Sequence, residues 1–212
     1  MEKFTQVTGI AAPMMKANID TDVIIPAKRL VGHRRHELGA FAFEAHRYRP
    51  DRTDNPDFVL NRPRYRSAKI LIAGDNFACG SSRESAVWAL AGFGFRCVIA
   101  PSFGDIFTNN AFQNGMLLVR LPKEQVDRLA AELESCVSPA MTVDLQSQTV
   151  TAPSGAVTPF EIDAERRQAL LEGRDEIGMT LARDADILAF QERDRAARPW
   201  IYQTKPRSTP AA

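Results

Sequence analysis

Lys69-Ile70-Leu71-Ile72-Ala73-Gly74-Asp75-Asn76 is the stretch on which the fold turns. Its apolar residues run together without alternation and end in a Gly-Asp-Asn cluster, which predicts a short strand buried on both faces. Downstream, residues 81–93 have helical spacing, with Ala86, Val87, Leu90 and Ala91 on one face and Gly92 and Gly94 as terminators. Cys97-Val98-Ile99-Ala100 repeats the strand pattern. Residues 103–113 repeat the helical one, with Ser102 as candidate N-cap and Gly115 just past the end. Residues 116–121 supply a third strand. A β-α-β-α-β order of unalternating strands predicts a parallel sheet joined by right-handed crossovers.

Beyond this core the pattern changes. Residues 123–135 form an amphipathic helix with Val126, Leu129, Ala130 and Leu133 on one face. Residues 141–145 and 149–151 alternate around Gln146-Ser147-Gln148, the mark of a hairpin, and residues 157–162 read as another strand. Asp163 opens a helix to Leu171, residues 180–195 make a last one, and the chain from Pro199 reads as a loose tail. On the N-terminal side, residues 4–10 read as a strand closed by Pro13. Asn18-Ile19-Asp20-Thr21-Asp22 is rich in turn formers. Residues 29–57 mix arginines, three histidines and Phe41 and Phe43 with no clean period, a long excursion of the kind that serves function or stays mobile. The whole reads as one domain over residues 1–198, with 29–57 as a mobile substrate or partner loop and 199–212 as the tail.

Composition narrows the function classes. With 212 residues and 44% hydrophobic content the chain can bury a core without a disulfide or metal staple. A net charge of +1 leaves no excess of cations for a nucleic-acid backbone, and no apolar run approaches the ~20 residues that cross a bilayer. The start, Met1-Glu2-Lys3-Phe4-Thr5-Gln6, lacks the build of a signal peptide, so a cytoplasmic address is expected. Cys79, Cys97 and Cys136 are too few and too far apart for a disulfide framework or a zinc signature. His33, His36 and His46 have no companion ligands at metal spacing and read as loop histidines. Asp20 and Asp22 read as turn and capping residues, and Cys79 as a packing residue.

The chemistry concentrates in Asn76-Phe77-Ala78-Cys79-Gly80-Ser81-Ser82-Arg83-Glu84, between a strand end and a helix start, where open α/β sheets bind ligands. Ser81 and Glu84 have capping-box spacing. Gly80, the paired hydroxyls and the Arg83 fork go beyond what a cap needs and suit a carboxylate or phosphate. No Gly-Lys-Ser/Thr, no G-x-G-x-x-G and no Gly-x-Ser-x-Gly is present here, which leaves an anion site for a small acid.

The same residues, together with Asn18-Ile19-Asp20-Thr21-Asp22-Val23-Ile24-Ile25-Pro26, Asn55-Pro56-Asp57-Phe58-Val59-Leu60-Asn61, Val98-Ile99-Ala100-Pro101-Ser102-Phe103 and Ile177-Gly178-Met179-Thr180-Leu181, resemble the swivelling domain of the aconitase superfamily. Within it they most nearly resemble the family of 3-isopropylmalate dehydratase small subunits, over residues 4–190. The resemblance implies an α/β fold: a swivelling β/β/α domain with a parallel βαβαβ core and an appended antiparallel layer. It implies an iron–sulfur large subunit as partner, in a heterodimer or heterotetramer, carrying a [4Fe–4S] cluster on its own cysteines, with none bound by this chain. It implies a small dicarboxylate substrate whose hydroxyl moves by dehydration and rehydration. Ser81 would be the catalytic base, acting as a stabilised alkoxide, and Ser82 and Arg83 would bind substrate carboxylate. Arg47, in Ala45-His46-Arg47-Tyr48, would be a second carboxylate clamp. A free serine is too weak a base near neutral pH, so the isolated chain is expected to be inactive.

Three positions depart from the family pattern: Ala78 where glycine is usual, Ser85 where histidine is frequent, and Val87 where proline is frequent. Ala78 would restrict the backbone if a positive φ is required there. These departures keep open a paralogue acting on citramalate, a dimethylmalate or homoaconitate, and a non-catalytic regulatory swivel module.

Overall fold

The computed structural model describes residues 1–80 and 83–202. In chain order the regular elements are β1 (Gln6–Met14), α1 (Thr21–Ile24), α2 (Glu44–Arg47), β2 (Ile70–Ala73), α3 (Ser85–Phe93), β3 (Cys97–Ala100), α4 (Asp105–Gln113), β4 (Leu117–Arg120), α5 (Lys123–Ser135), β5 (Ala140–Asp144), β6 (Thr149–Thr151), β7 (Val157–Pro159), α6 (Ala164–Glu172), α7 (Glu176–Leu181) and α8 (Asp184–Ala197). They divide into two compact units, Met1–Asp175 and Glu176–Ala212, where the sequence alone predicts one domain to residue 198.

The first unit holds a seven-stranded sheet in the order β4-β3-β2-β1-β5-β6-β7. The expected parallel core and antiparallel strands are both present, and β1 joins them. Its first half pairs antiparallel with β5, from Gln6↔Asp144 to Ile10↔Ala140. Its second half pairs parallel with β2, from Ala11↔Ile70 to Met14↔Ala73. Pro13 therefore lies inside the strand instead of closing it. The Ala11 amide points toward the β5 side, where it donates to Pro139 O at 2.8 Å. Two residues on, the proline nitrogen faces the same side beyond the end of β5, where no ladder bond is lost.

Both faces of the parallel half are covered, which is why its strands lack alternation. Leu71, Ala73, Val98, Ala100 and Leu118 belong to the core beneath α3 and α4. Ile70, Ile72, Cys97, Ile99, Leu117 and Val119 belong to the opposite core, with α5 and α6. Each fully buried Ile or Leu among them contributes roughly 1.5–3 kcal/mol.

Parallel neighbours need a crossover, and residues 15–69 are the crossover from β1 to β2. That explains why the aperiodic 29–57 excursion carries core anchors: Leu38, Ala42 and Phe43 are buried in the core beneath α3. Its 3₁₀ segment Arg35–Phe41 crosses α3 at glycines. A Cβ on Gly39 would lie 2.1 Å from Gly92 C, so only glycine permits this approach.

Three other boundaries differ from the sequence reading. α3 begins at Ser85, so Arg83 precedes the helix. α4 is preceded by Gly104 as N-cap, not Ser102. The strand expected over 157–162 ends at Pro159. Asp163 does cap α6, accepting from Arg166 N at 3.0 Å. In the second unit, the helix expected over 180–195 is two helices, α7 and α8, and Tyr202 Oη donates to Asp194 Oδ2 at 2.8 Å. Among the described residues no helix is long and apolar enough to cross a membrane.

Candidate functional site

Three loops leave the C-terminal edge of the parallel strands β1, β2 and β3, and backbone bonds lace them together. Asn18 N donates to Asp75 O at 2.9 Å, Thr21 N to Cys79 O at 3.1 Å, Phe77 N to Ser102 O at 3.1 Å and Gly104 N to Phe77 O at 3.0 Å. Side chains reinforce the lacing. Asn76 Nδ2 donates to Asn18 Oδ1 at 2.8 Å, and Ser102 Oγ accepts from Asn76 N at 2.8 Å while donating to Asp75. Ser102 thus ties two loops together instead of capping a helix. Phe77 anchors the middle loop, fully buried with its ring edge-on to Phe107 at 5.8 Å.

The middle loop follows a tight path. Asn76, Ala78 and Gly80 have φ of 53°, 55° and 91°. Ala78 therefore adopts the left-handed conformation for which glycine is the natural residue. Its carbonyl leaves no room opposite: a Cβ on Gly104 would lie 2.6 Å from Ala78 O.

Ser81 and Ser82, the expected base and carboxylate ligand, lie outside the described residues. Glu84, the other half of the expected capping box, accepts from Asn114 Nδ2 at 2.7 Å. Asn114 Oδ1 in turn accepts from Trp88 Nε1 at 3.1 Å, so Glu84 is tied to α4 and α3.

Arg83 sits on this edge, and its guanidinium is engaged. Nη1 and Nη2 meet the two carboxylate oxygens of Asp22, the second at 3.1 Å. The Arg83 side chain is 27% exposed and that of Asp22 55%. The Arg83 hydrogen bond holds the Asp22 carboxyl below the usual carboxylate range, and its charge adds to the effect. Asp20, not Asp22, is the cap of α1, accepting from Val23 N at 2.8 Å. Sequence reasoning missed Asp22 as the partner of Arg83. The available signal was a carboxylate and an arginine on loops at the ends of adjacent parallel strands, where side chains converge.

Arg47 is placed elsewhere. Its guanidinium lies 4.9 Å from the Phe93 ring centroid and 5.2 Å from that of Tyr48. Phe93 ends α3, roughly 12 Å of helix axis from Ser85, so the structure does not bring Arg47 together with Arg83. Nearby, His46 stacks on Phe58 at 6.3 Å, and both line an apolar cavity of about 320 Å³ with Ile19, Val23 and Phe43.

Among the described residues no three His, Cys, Asp or Glu side chains gather as a metal site. Cys97 is buried in β3, and burial pushes its thiol up. His33 meets the edge of Phe41 at 4.6 Å. Two hydroxyls near the loop, Thr21 Oγ1 and Ser85 Oγ, are buried with no partner among the described residues.

Known proteins align with these features. A family model of the aconitase C-terminal domain matches residues 1–124, and one described as LeuD_N matches 127–164. A third, of the C-terminal domain of the 3-isopropylmalate dehydratase small subunit, matches 176–204. That match begins where the second compact unit begins. A 3-isopropylmalate dehydratase small subunit from Dinoroseobacter shibae is 53% identical over 95% of this chain and 100% of its own length. One from Gluconacetobacter diazotrophicus is 54% identical over 94% and 97%. The crystal structure of a 3-isopropylmalate dehydratase from Methanocaldococcus jannaschii superposes with a TM-score of 0.64 at 23% identity, covering 88% of this chain and 99% of that one, and so shares the fold. With the aconitase model over more than half its length and relatives of this identity end to end, the chain belongs to the 3-isopropylmalate dehydratase small-subunit family of the aconitase superfamily.

Proposed function

We propose that this chain is the small subunit of a cytoplasmic two-subunit hydro-lyase that interconverts 2-isopropylmalate and 3-isopropylmalate by dehydration and rehydration, in leucine biosynthesis. The observation that supports the reading is Arg83, on the loop edge where three parallel strands end, whose two guanidinium prongs meet the carboxylate of Asp22. A planar guanidinium is suited to a substrate carboxylate, because its two prongs can meet the two oxygens of one carboxylate group.

The roles on this chain then follow from chemistry. Arg83, with Ser82, binds and orients a substrate carboxylate. Ser81 takes the carbon-bound proton during dehydration and returns it on rehydration. A serine hydroxyl does not do this in water near neutral pH, so the site becomes competent only when closed and dried. Arg83, two residues on, brings a permanent positive charge that favours the alkoxide. The partner that closes the site is a large subunit. That subunit would hold a [4Fe–4S] cluster on its own cysteines, and the cluster would supply the Lewis acid for loss and return of the hydroxyl. Arg47 enters this reading as a second clamp only if closure brings it from its seat against Phe93 to the substrate.

Reconstitution tests the proposal. This chain and a cluster-bearing large subunit should each be inactive alone and interconvert the two isopropylmalates together. Ser81→Ala should lower kcat by about 10²–10⁴-fold while leaving subunit association intact. Near-normal turnover would defeat the role of Ser81. Turnover on citramalate, a dimethylmalate or homoaconitate in place of isopropylmalate would move the substrate assignment.

A further inference from the structure

The pairing of Arg83 with Asp22 is two-pronged, and its carboxylate stands open to solvent. Both guanidinium nitrogens face both oxygens of one carboxylate, the arrangement an incoming substrate carboxylate would make. The capping of α1 belongs to Asp20; besides Arg83, the Asp22 carboxylate meets the Ala27 amide. The Asp22 side chain is more than half exposed, so water and solute anions reach it and solvent screens the pair. The Asp20 carboxylate adds a second negative charge close enough to act on Arg83. A dianionic substrate arriving at Arg83 therefore meets a neutralised guanidinium and a carboxylate of like charge in its place.

We propose that Asp22 is a displaceable stand-in for a substrate carboxylate: it keeps the Arg83 fork extended and in register in the open subunit and yields it when substrate binds. The assignment rests on Arg83 being a substrate ligand, as proposed above. In this role Asp22 is a positioning residue that acts through Arg83. Its cost is competition. Each binding event must break the internal pair, so removing the charge of Asp22 should tighten substrate binding, whereas a purely structural brace would loosen it on removal.

The test uses the reconstituted two-subunit enzyme and either isopropylmalate. Asp22→Asn should lower KM about 3- to 5-fold, the size of an exposed ion pair, with kcat moving less than KM. Asp22→Glu, which restores a carboxylate, should return KM toward the wild-type value. If Asp22→Asn fails to assemble, Asp22→Ser carries the same expectation. A KM that stays the same or rises in the assembled variant overturns the stand-in role. Arg83→Lys separates the two levels of the argument. Should it leave KM unchanged, Arg83 does not hold substrate and the underlying reading fails. Should it raise KM while Asp22→Asn does not lower it, the stand-in role alone fails.

Discussion

Arg29 in the excursion and Arg83 on the site loop each meet a carboxylate with two guanidinium nitrogens, but their surroundings differ. Arg29 Nε donates to Glu44 Oε2 at 2.7 Å and Nη2 to the other oxygen, with the guanidinium 4.4 Å from the Phe41 ring centroid. The two side chains are 17% and 11% exposed. The Arg83 pair has the same form, with its carboxylate 55% exposed. Bidentate geometry alone therefore does not separate a clasp from a receptor. Access of solvent to the carboxylate does, because an enclosed pair has no competitor for its donors and an open one has every anion in solution. Arg29–Glu44 clasps the start of the crossover to α2, and Arg83–Asp22 remains exchangeable.

The largest effect that would sharpen this division is on substrate binding. Arg83→Lys replaces a planar fork by a point charge and gives up one charge-assisted hydrogen bond, which is worth ~1.5–3 kcal/mol and predicts KM raised about 10- to 100-fold. The clasp should answer in a different measurement. Glu44→Gln should lower Tm by about 3–12 °C through the loss of the same kind of bond in an enclosed place. An increase of KM in Glu44→Gln as large as that in Arg83→Lys would erase the distinction. The sign with pH follows from the carboxyl. The Arg29 hydrogen bond holds Glu44 below its ordinary value of 4.5, so its stabilisation is complete above that value and is lost as pH falls through the lower, folded-state value. The Tm gap between wild type and Glu44→Gln should be constant from pH 7 to 5 and close below it.

The division between these regions was only half legible in the sequence. The parallel core was readable because Ile70–Ala73 and Cys97–Ala100 have both faces buried and so carry unbroken apolar runs. β1 was not, since its two halves take different partners and Pro13 imitates a stop. The excursion had no period because it is built from 3₁₀ turns, short helices and a glycine contact at Gly39 and Gly92, and its role as a crossover exists only once β1 and β2 are known to be parallel. At the site, the chemistry of Arg83 was readable from its neighbours. Its partner Asp22 lies 61 residues away, a distance set by the fold alone. Arg47 is equally suited to a carboxylate by residue type; its guanidinium lies against the rings of Tyr48 and Phe93, with Nε buried and without a hydrogen-bond partner among the described residues, and Phe93 reaches it only through the packing of the excursion on α3.

The two regions also carry the same backbone strain under different side chains, and here the smallest effect is expected. Phe43 in the excursion and Ala78 in the site loop have φ of 56° and 55°, and both are buried, at 0% and 2% exposure. Phe43 is held there by a whole ring in the core, so truncating it would lose far more than the strain returns. Ala78 has only a methyl group to lose. Replacing it by glycine relieves ~1–2 kcal/mol of left-handed strain. It also forfeits ~0.8 kcal/mol of methyl burial and adds ~0.4–1 kcal/mol of unfolded-state entropy. These contributions nearly cancel, so Ala78→Gly should leave Tm within about 3 °C of wild type. Because alanine already holds the positive φ that the loop requires, turnover of the assembled enzyme should also stay within about twofold. A tenfold rise in kcat on Ala78→Gly would show that the alanine distorts the path toward Arg83, and would make the strain of the site loop, not the openness of its ion pair, what sets this region apart from the excursion.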